Sequence, residues 1–421
     1  MRRALPWLAG LVCASAAAAG GVYEEVPIDK DEWRLIEEAQ DLEGWFNAQS
    51  LLYMEPKALG LVRRVGHEIR PAPTDDYIEY EFFVLRDPSP NAFALPNGHV
   101  YVHTGMLARL DDEDELAALL AHEINHVAGH HGIIEHRATR KKTIAGMVIG
   151  SLGPWGGMIS LGLQTSVYGF SRELEQEADD RGTEVLLATR YDPHALPDLL
   201  DILGRDYEGL QPRTATVWST HPEVRARAEK SRALVAEAPH RERHRDEFEA
   251  AVMDMRAMTI EDYVQDDYAH TAVALAESLV ERYPNDLRLL NLLGDAWQGM
   301  GAQGPIDQAA LTDSDKRHNL RDRARKTRAQ RLAEALETDE GRAAYAANLQ
   351  RAEEIYRRVI ATDAAFARAY RGLGEVCEQQ QRTRDAAEAY LNYIKLAPAA
   401  PDRSIVMSRL RLITTQLKVG Q

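Results

Sequence analysis

The segment AALLAHEINHVAGHHG, Ala117–Gly132, sets histidine and glutamate side chains inside an apolar run of helical character. Either residue type is costly to bury without a partner, so a chain carrying this segment must fold around it and supply the partners. His122 and His126 stand four residues apart, one turn up the same helix face, where both imidazoles can point at a single ion. Glu123 follows the first histidine and sits beside such an ion rather than on it, placed to take a proton from water. A catalytic site of this kind needs a third protein ligand and leaves a further position open.

One source of that ligand fails. In the longer version of the pattern a third histidine follows a glycine in the same stretch; Gly129 is in place, but Gly132 stands where the histidine should be, and His130 and His131 miss the register. A later helix can provide it instead. SRELEQEADD offers Glu173, Glu175 and Glu177, and spacing alone does not choose among them. Glu175 has Asp179 one turn later on the same face, which would pair a ligand carboxylate with an acid that orients a ligand imidazole. His130, His131 and His136 read as packing or solvent-facing residues. The acidic run Asp111–Asp114 reads as a helix-capping device, since negative charge is favoured at a helix start and the glycine of a calcium loop is missing.

The 421 residues are too many for one ordinary core and predict two or three domains. A net charge of −16 excludes nucleic acid and anionic membrane surfaces as main partners. MRRALPWLAGLVCASAAAAGG reads as a secretory signal peptide over 1–19, which points to a bacterial periplasm. Its removal leaves Cys377 as the lone cysteine, so no internal disulfide supports the fold.

Along the chain, residues 33–70 show helical periodicity, YIEYEFFVLRD alternates as a strand, and a second strand follows the Asn97-Gly98 turn. The apolar, glycine-rich segment over 143–171 is interrupted by GPWGG and reads as a broken hairpin or lid, compatible with peripheral membrane contact. EAPHRERHRDEFEA is the expected domain boundary. Beyond it, Tyr370, Leu373, Gly374, Cys377, Ala386, Tyr390 and Pro398 fall at tetratricopeptide spacing. Leu290, Leu293, Gly294 and Trp297 match the first helix of another repeat, and Ala352, Tyr356 and Val359 a second helix. Such pairs stack because none can bury its apolar face alone, and they leave a concave surface for partners.

LLAHEINHVAGHH, SRELEQEADDRG and STHPEVRAR, in that order, resemble the gluzincin family that contains HtpX and the CAAX-prenyl endopeptidases. A signal peptide ahead and repeats behind make the chain look most like that family's periplasmic, repeat-bearing branch. The resemblance implies an α+β, mostly helical chain: a gluzincin-type metalloprotease domain with a small β-sheet over 22–240, a linker helix over 241–267, and an all-α repeat domain over 268–412 with a charged insertion at about 301–344. It implies one Zn2+ per chain, with His122, His126 and Glu175 as ligands, Glu123 as the base and Asp179 as companion to the ligands. It implies that His221 approaches the metal as a fourth ligand or steadies the oxyanion. Asn91, Ala92, Phe93, Ala94, Leu95 and Arg227 become the expected substrate contacts, the strand among them offering its edge to an extended chain. The implied activity is endoproteolysis of unfolded or misassembled outer-membrane proteins, with the repeats docking the outer-membrane beta-barrel assembly machinery. A chaperone-like scaffold with latent or minor proteolysis is the alternative.

Overall fold

The computed structural model describes residues 27–72, 76–140, 170–209, 223–301, 303 and 326–419. The expected signal peptide, the apolar stretch over 143–169, His221 and the part of the charged insertion over 304–325 lie outside the described residues.

Two helices open the described chain. α1 (Lys30–Ala48) buries Leu35, Ile36, Ala39, Leu42 and Phe46, one stripe at helical spacing. α2 (Pro56–Ile69) begins with proline at its first position, where a missing N–H costs nothing, and Glu55 caps it by accepting the Ala58 N–H at 2.9 Å. A three-stranded sheet follows: β1 (Glu81–Leu85), β2 (Ala92–Ala94) and β3 (His99–His103), in the order β1-β3-β2. β1 runs parallel to β3 and β2 antiparallel to it. Between β2 and β3 the chain turns at Gly98, whose φ of 98° suits glycine; a Cβ there would lie 2.5 Å from the Glu79 carbonyl oxygen.

Side-chain alternation divides the sheet's two faces. Phe82, Val84, Ala92, Ala94, Val100 and Val102 join the main core with α2 and the helix that carries the histidines. Phe83, Leu85, Phe93, Leu95 and Tyr101 form a separate apolar cluster with Ala39, Leu42 and Phe46 of α1. The sheet is therefore covered on both sides, and its β2 edge is fixed relative to what lies beneath.

Beneath it, after the single turn α3 (Thr104–Leu107), runs α4 (Glu113–Ala128), every residue of which is buried. α5 (His131–Arg140) continues the chain, then α6 (Arg172–Ala188), α7 (Ala195–Gly209) and α8 (Val224–Val235), with α6 and α7 packed on α4. The acidic start of α4 does more than cap. Asp112 accepts the Glu115 N–H at 3.0 Å, as expected, and Arg64, Arg190 and the Tyr191 hydroxyl converge on the buried Glu113 carboxylate. Asp114 accepts from the His244 and Asp192 N–H groups at 2.9 and 2.8 Å. Arg243 bonds Asp192 at 3.1 Å, Asp112 at 3.3 Å and Asp198 at 2.5 Å. Burial pushes the Glu115 carboxyl up to about 8, with Asp112 beside it adding to the effect.

These contacts reach the stretch expected as a linker helix over 241–267. Arg241, Arg243 and His244 anchor the stretch that reads as a boundary, and α9 (Arg245–Gln265) packs Phe248, Val252 and Met255 into the main core. Its far end, Ile260 and Tyr263, joins a second core with α10 (Ala269–Arg282) and α11 (Leu287–Gly299). Within this highly charged stretch, Arg241 bonds backbone carbonyls and Arg243 bonds carboxylates.

The remaining helices are α12 (Arg328–Ala335), α13 (Asp339–Thr362), α14 (Ala367–Gln379), α15 (Thr383–Leu396) and α16 (Arg403–Val419), each of the last four packed on its predecessor in sequence. The charged insertion ends sooner than expected. Thr327 and Gln330 form a reciprocal capping box at the start of α12, and α13 runs unbroken from Asp339 because Gly341, Asn348 and Leu349 already lie on its buried side. Among the described residues no helix is long and apolar enough to cross a membrane.

Arg243→Gln is expected to destabilise the fold by about 3–5 kcal/mol, because it strands buried carboxylates. Lys230→Gln, which removes an exposed 3.3 Å pair with Asp180, should change stability by less than about 1 kcal/mol in the same urea titration.

Candidate metal centre

α4 and α6 pack closely enough that a Cβ on Gly182 of α6 would be 3.5 Å from the His122 backbone nitrogen. This approach brings the Glu175 carboxylate, at the start of α6, over the two histidines of α4. The Nε2 atoms of His122 and His126 lie 3.0 Å apart. Glu175 places Oε2 3.6 Å from the first and Oε1 3.5 Å from the second, and all three residues are buried. Glu175 is thus the glutamate of the three that the structure brings to the histidine pair.

Each imidazole has its other nitrogen engaged. His122 Nδ1 is 2.9 Å from Asp179 Oδ1, a contact that favours a proton on Nδ1 and the lone pair on Nε2. His126 Nδ1 is 2.9 Å from His131 Nδ1, and the His131 Nε2 faces Glu177 at 3.7 Å. A proton on His126 Nδ1 donated to His131 again leaves the Nε2 lone pair facing inward. Two inward lone pairs and a carboxylate at 3.0–3.6 Å from one another repel unless something positive sits between them. Ligands about 2.0–2.1 Å from a single tetrahedral ion stand about 3.3–3.4 Å apart, so donor types and spacing both fit a divalent metal.

Behind the donors lies a buried clamp. Arg227 of α8 bonds both oxygens of Asp179, at 2.7 and 2.8 Å, and reaches Glu175 Oε2 at 2.6 Å. Burial alone would push the Asp179 carboxyl up, but Arg227 and then His122 hold it well below the usual carboxylate range. Burial likewise disfavours the Arg227 charge, yet Asp179, Glu175 and Glu123 together raise its pKa. Arg227, an expected substrate contact, is buried in this structure with its guanidinium on two site carboxylates. Glu123 is buried on α4 and close enough to add to the field at Arg227.

Asn91, Ala92, Phe93, Ala94 and Leu95 are all buried. The ladder contacts His103 N–H to Asn91 and Leu95 N–H to His99 turn the alternate residues, Ala92 and Ala94, outward from β3. Ala94, Leu95 and Pro96 line one small cavity together with His126, His130 and Phe170, so this edge adjoins the histidine pair.

Sequence reasoning missed two neighbours of His126. Phe170 stacks on its ring at 3.9 Å between centroids and 15° between planes. His131, read as packing or solvent-facing, is buried against it; burial pushes its imidazole down to about 4. The chain reverses at His130 with φ 52°, and a Cβ on Gly129 would meet the His131 ring at 2.5 Å. Gly129 was the available signal, since a residue that must stay small beside a histidine marks a tight return.

Residues 61–235 match the family model described as Peptidase family M48. The chain is 30% identical over 253 residues to the mitochondrial metalloendopeptidase OMA1 of Schizosaccharomyces pombe, a match covering 55% of this chain and 72% of that protein. It is 30% identical over 188 residues to the beta-barrel assembly-enhancing protease of Yersinia pestis, covering 42% of this chain and 38% of that protein. The same-named protein of Escherichia coli is 30% identical over 179 residues, 38% of this chain and 36% of its own length. The match thus spans well under half of these two bacterial relatives.

Asp179→Asn is expected to weaken divalent-metal binding about 10–100-fold, since the His122 Nδ1 proton loses its anionic partner. Competition against a chromogenic chelator measures this, with Glu123→Gln as the variant that should retain wild-type affinity.

Proposed function

The chain belongs to peptidase family M48 and is a metalloprotease; from that premise we propose that it is a zinc-dependent endopeptidase of the bacterial periplasm, acting on unfolded or misassembled outer-membrane proteins. The observation that carries this reading is the convergence of His122, His126 and Glu175 from two helices on one point, with Glu123 one residue from the first ligand.

Zinc bound by those three residues would supply Lewis acidity, polarising a scissile carbonyl and making water acidic near neutral pH. The chain's own groups do the rest. Glu123 accepts the proton of the attacking water as its oxygen bonds the carbonyl carbon, then delivers that proton to the nitrogen as the C–N bond breaks. Asp179 fixes the tautomer and orientation of His122, and His131 does the same for His126. Arg227 keeps Asp179 ionised in a buried setting where a lone carboxylate would protonate, and it lies 2.6 Å from Glu175 Oε2.

The β2 edge supports the substrate class. The outward backbone groups of Ala92 and Ala94 can pair with an extended polypeptide, giving affinity through main-chain hydrogen bonds independent of sequence. A chain must be unfolded to present such a strand, and Ala94 lines a small cavity together with His126, which sets this edge beside one of the donors. The names of the bacterial relatives support outer-membrane barrels as clients. We assign α10–α11 and α13–α16 to tetratricopeptide repeats that dock the barrel-assembly machinery, supported by the packed helix pairs.

Glu123→Gln should lower hydrolysis of an unfolded outer-membrane barrel about 100–10,000-fold while zinc content stays at the wild-type level. Chelation of the wild-type enzyme should abolish cleavage, and added zinc should restore it. Wild-type turnover in the Glu123 variant would overturn the mechanism.

A further inference from the structure

A second group of metal-ligating side chains lies at the opposite end of α6 from Glu175. Asp192 follows that helix, His194 follows Asp192 by two residues, and His240 comes from the stretch after α8. Their ligand atoms all lie within 4.8 Å of one another. The two rings stack, with centroids 3.8 Å apart and planes 23° apart.

Three details make this more than proximity. His194 Nε2 is 3.0 Å from the Ala238 carbonyl oxygen, which can only accept, so in the neutral ring the proton sits on Nε2 and the lone pair on Nδ1. An imidazole whose spare N–H is donated to a backbone carbonyl is the arrangement that orients metal-binding histidines. His240 Nδ1 is 3.3 Å from Asp192 Oδ2, the separation that neighbouring ligands of one tetrahedral ion adopt. Asp192 itself is held in place: its Oδ1 accepts the His194 N–H at 3.0 Å, and its Oδ2 also accepts from Arg243 Nε at 3.1 Å. Arg243 faces Asp112 and Asp198 as well, so the surroundings stay acidic despite its charge. The His240 side chain is 76% exposed while Asp192 is 2% exposed, which gives a rooted carboxylate, a ring free to close the remaining distance, and water access to an open position.

We propose that Asp192, His194 and His240 form a second binding site for a zinc-class divalent cation, which ties the turn after α6 to the stretch after α8. Two histidines and one carboxylate suit Zn2+ and its borderline neighbours better than calcium or magnesium, which prefer all-oxygen shells. The tie has a consequence for the first centre. α6 carries Glu175 and Asp179 and α8 carries Arg227, so an ion here joins, at their far ends, the two helices that form the buried clamp. The inference does not depend on the peptidase reading, because it uses none of that site's residues.

The test uses the full-length chain stripped of metal and equilibrated by dialysis against Zn2+ alone, with bound metal counted by elemental analysis. Wild type should take up two equivalents, Glu175→Gln and His240→Ala one each, and the double variant none at the same free zinc. Zinc should raise the Tm of Glu175→Gln but not of the double variant. His67→Ala, which removes a surface histidine elsewhere, should bind as wild type does. Since His240 is exposed, its alanine variant is expected to fold, and an unchanged circular dichroism spectrum checks this; His194→Ala provides an independent second loss. A second equivalent that persists at unchanged affinity in both His240→Ala and His194→Ala overturns the proposal, as does a wild type that holds a single equivalent. Weakening by at least about tenfold in both variants supports it.

Discussion

A helix with no exposed residue is an unusual place for three carboxylates at one end and an imidazole pair with a glutamate further along. α4 is such a helix. Its polar groups cannot rely on water, so each needs compensation from a neighbouring element, and much of the surrounding architecture can be read as that compensation. Arg64 of α2, Arg190 after α6 and Arg243 before α9 face its acidic start. Asp179 of α6, His131 of α5 and, through Asp179, Arg227 of α8 face its histidines. Sheet and helices supply the apolar remainder through Val100, Val102, Leu116 and Leu120.

Buried ion pairs of this kind contribute little net stability, because desolvation offsets most of the Coulomb gain. Their value lies in geometry. Arg227 holds two carboxylates from one helix in fixed positions relative to two imidazoles from another, at distances set by planar, two-pronged hydrogen bonding. A lysine there would neutralise charge without fixing direction. The same logic applies at the other end of α4, where Arg243 reaches three separate carboxylates and so joins three segments at one guanidinium.

Much of this was legible in the chain. The His122–His126 spacing, the paired acids Glu175 and Asp179, the alternation around Phe82 and Val84, and the Asn97-Gly98 turn each carry a local periodicity or turn chemistry that survives folding. Choosing Glu175 over Glu173 and Glu177 was different, because three alternating acids on one helix are told apart only by which face meets α4. Where local signals misled, the cause was tertiary. Arg243 and His244 look solvated in sequence, since nothing nearby reveals that Asp112, Asp114 and Asp192 return from more than forty residues away. Arg227 gives no local sign of its partners, because Glu175 and Asp179 sit on another helix. His131 reaches His126 through a chain reversal at His130 that no periodicity encodes.

α9 carries a consequence for anyone wishing to move these parts about. One half of this helix completes the core that holds the metal centre and the other half begins the core of the helical array, along a single unbroken backbone. The two halves of the protein are therefore spliced rather than tethered. A chimera that exchanges the array for another would have to inherit Phe248, Val252 and Met255 with the catalytic portion, and its seam belongs beyond Gln265. Tilting the array would also lever directly on the floor beneath α4, a mechanical route that a flexible connector would have dissipated.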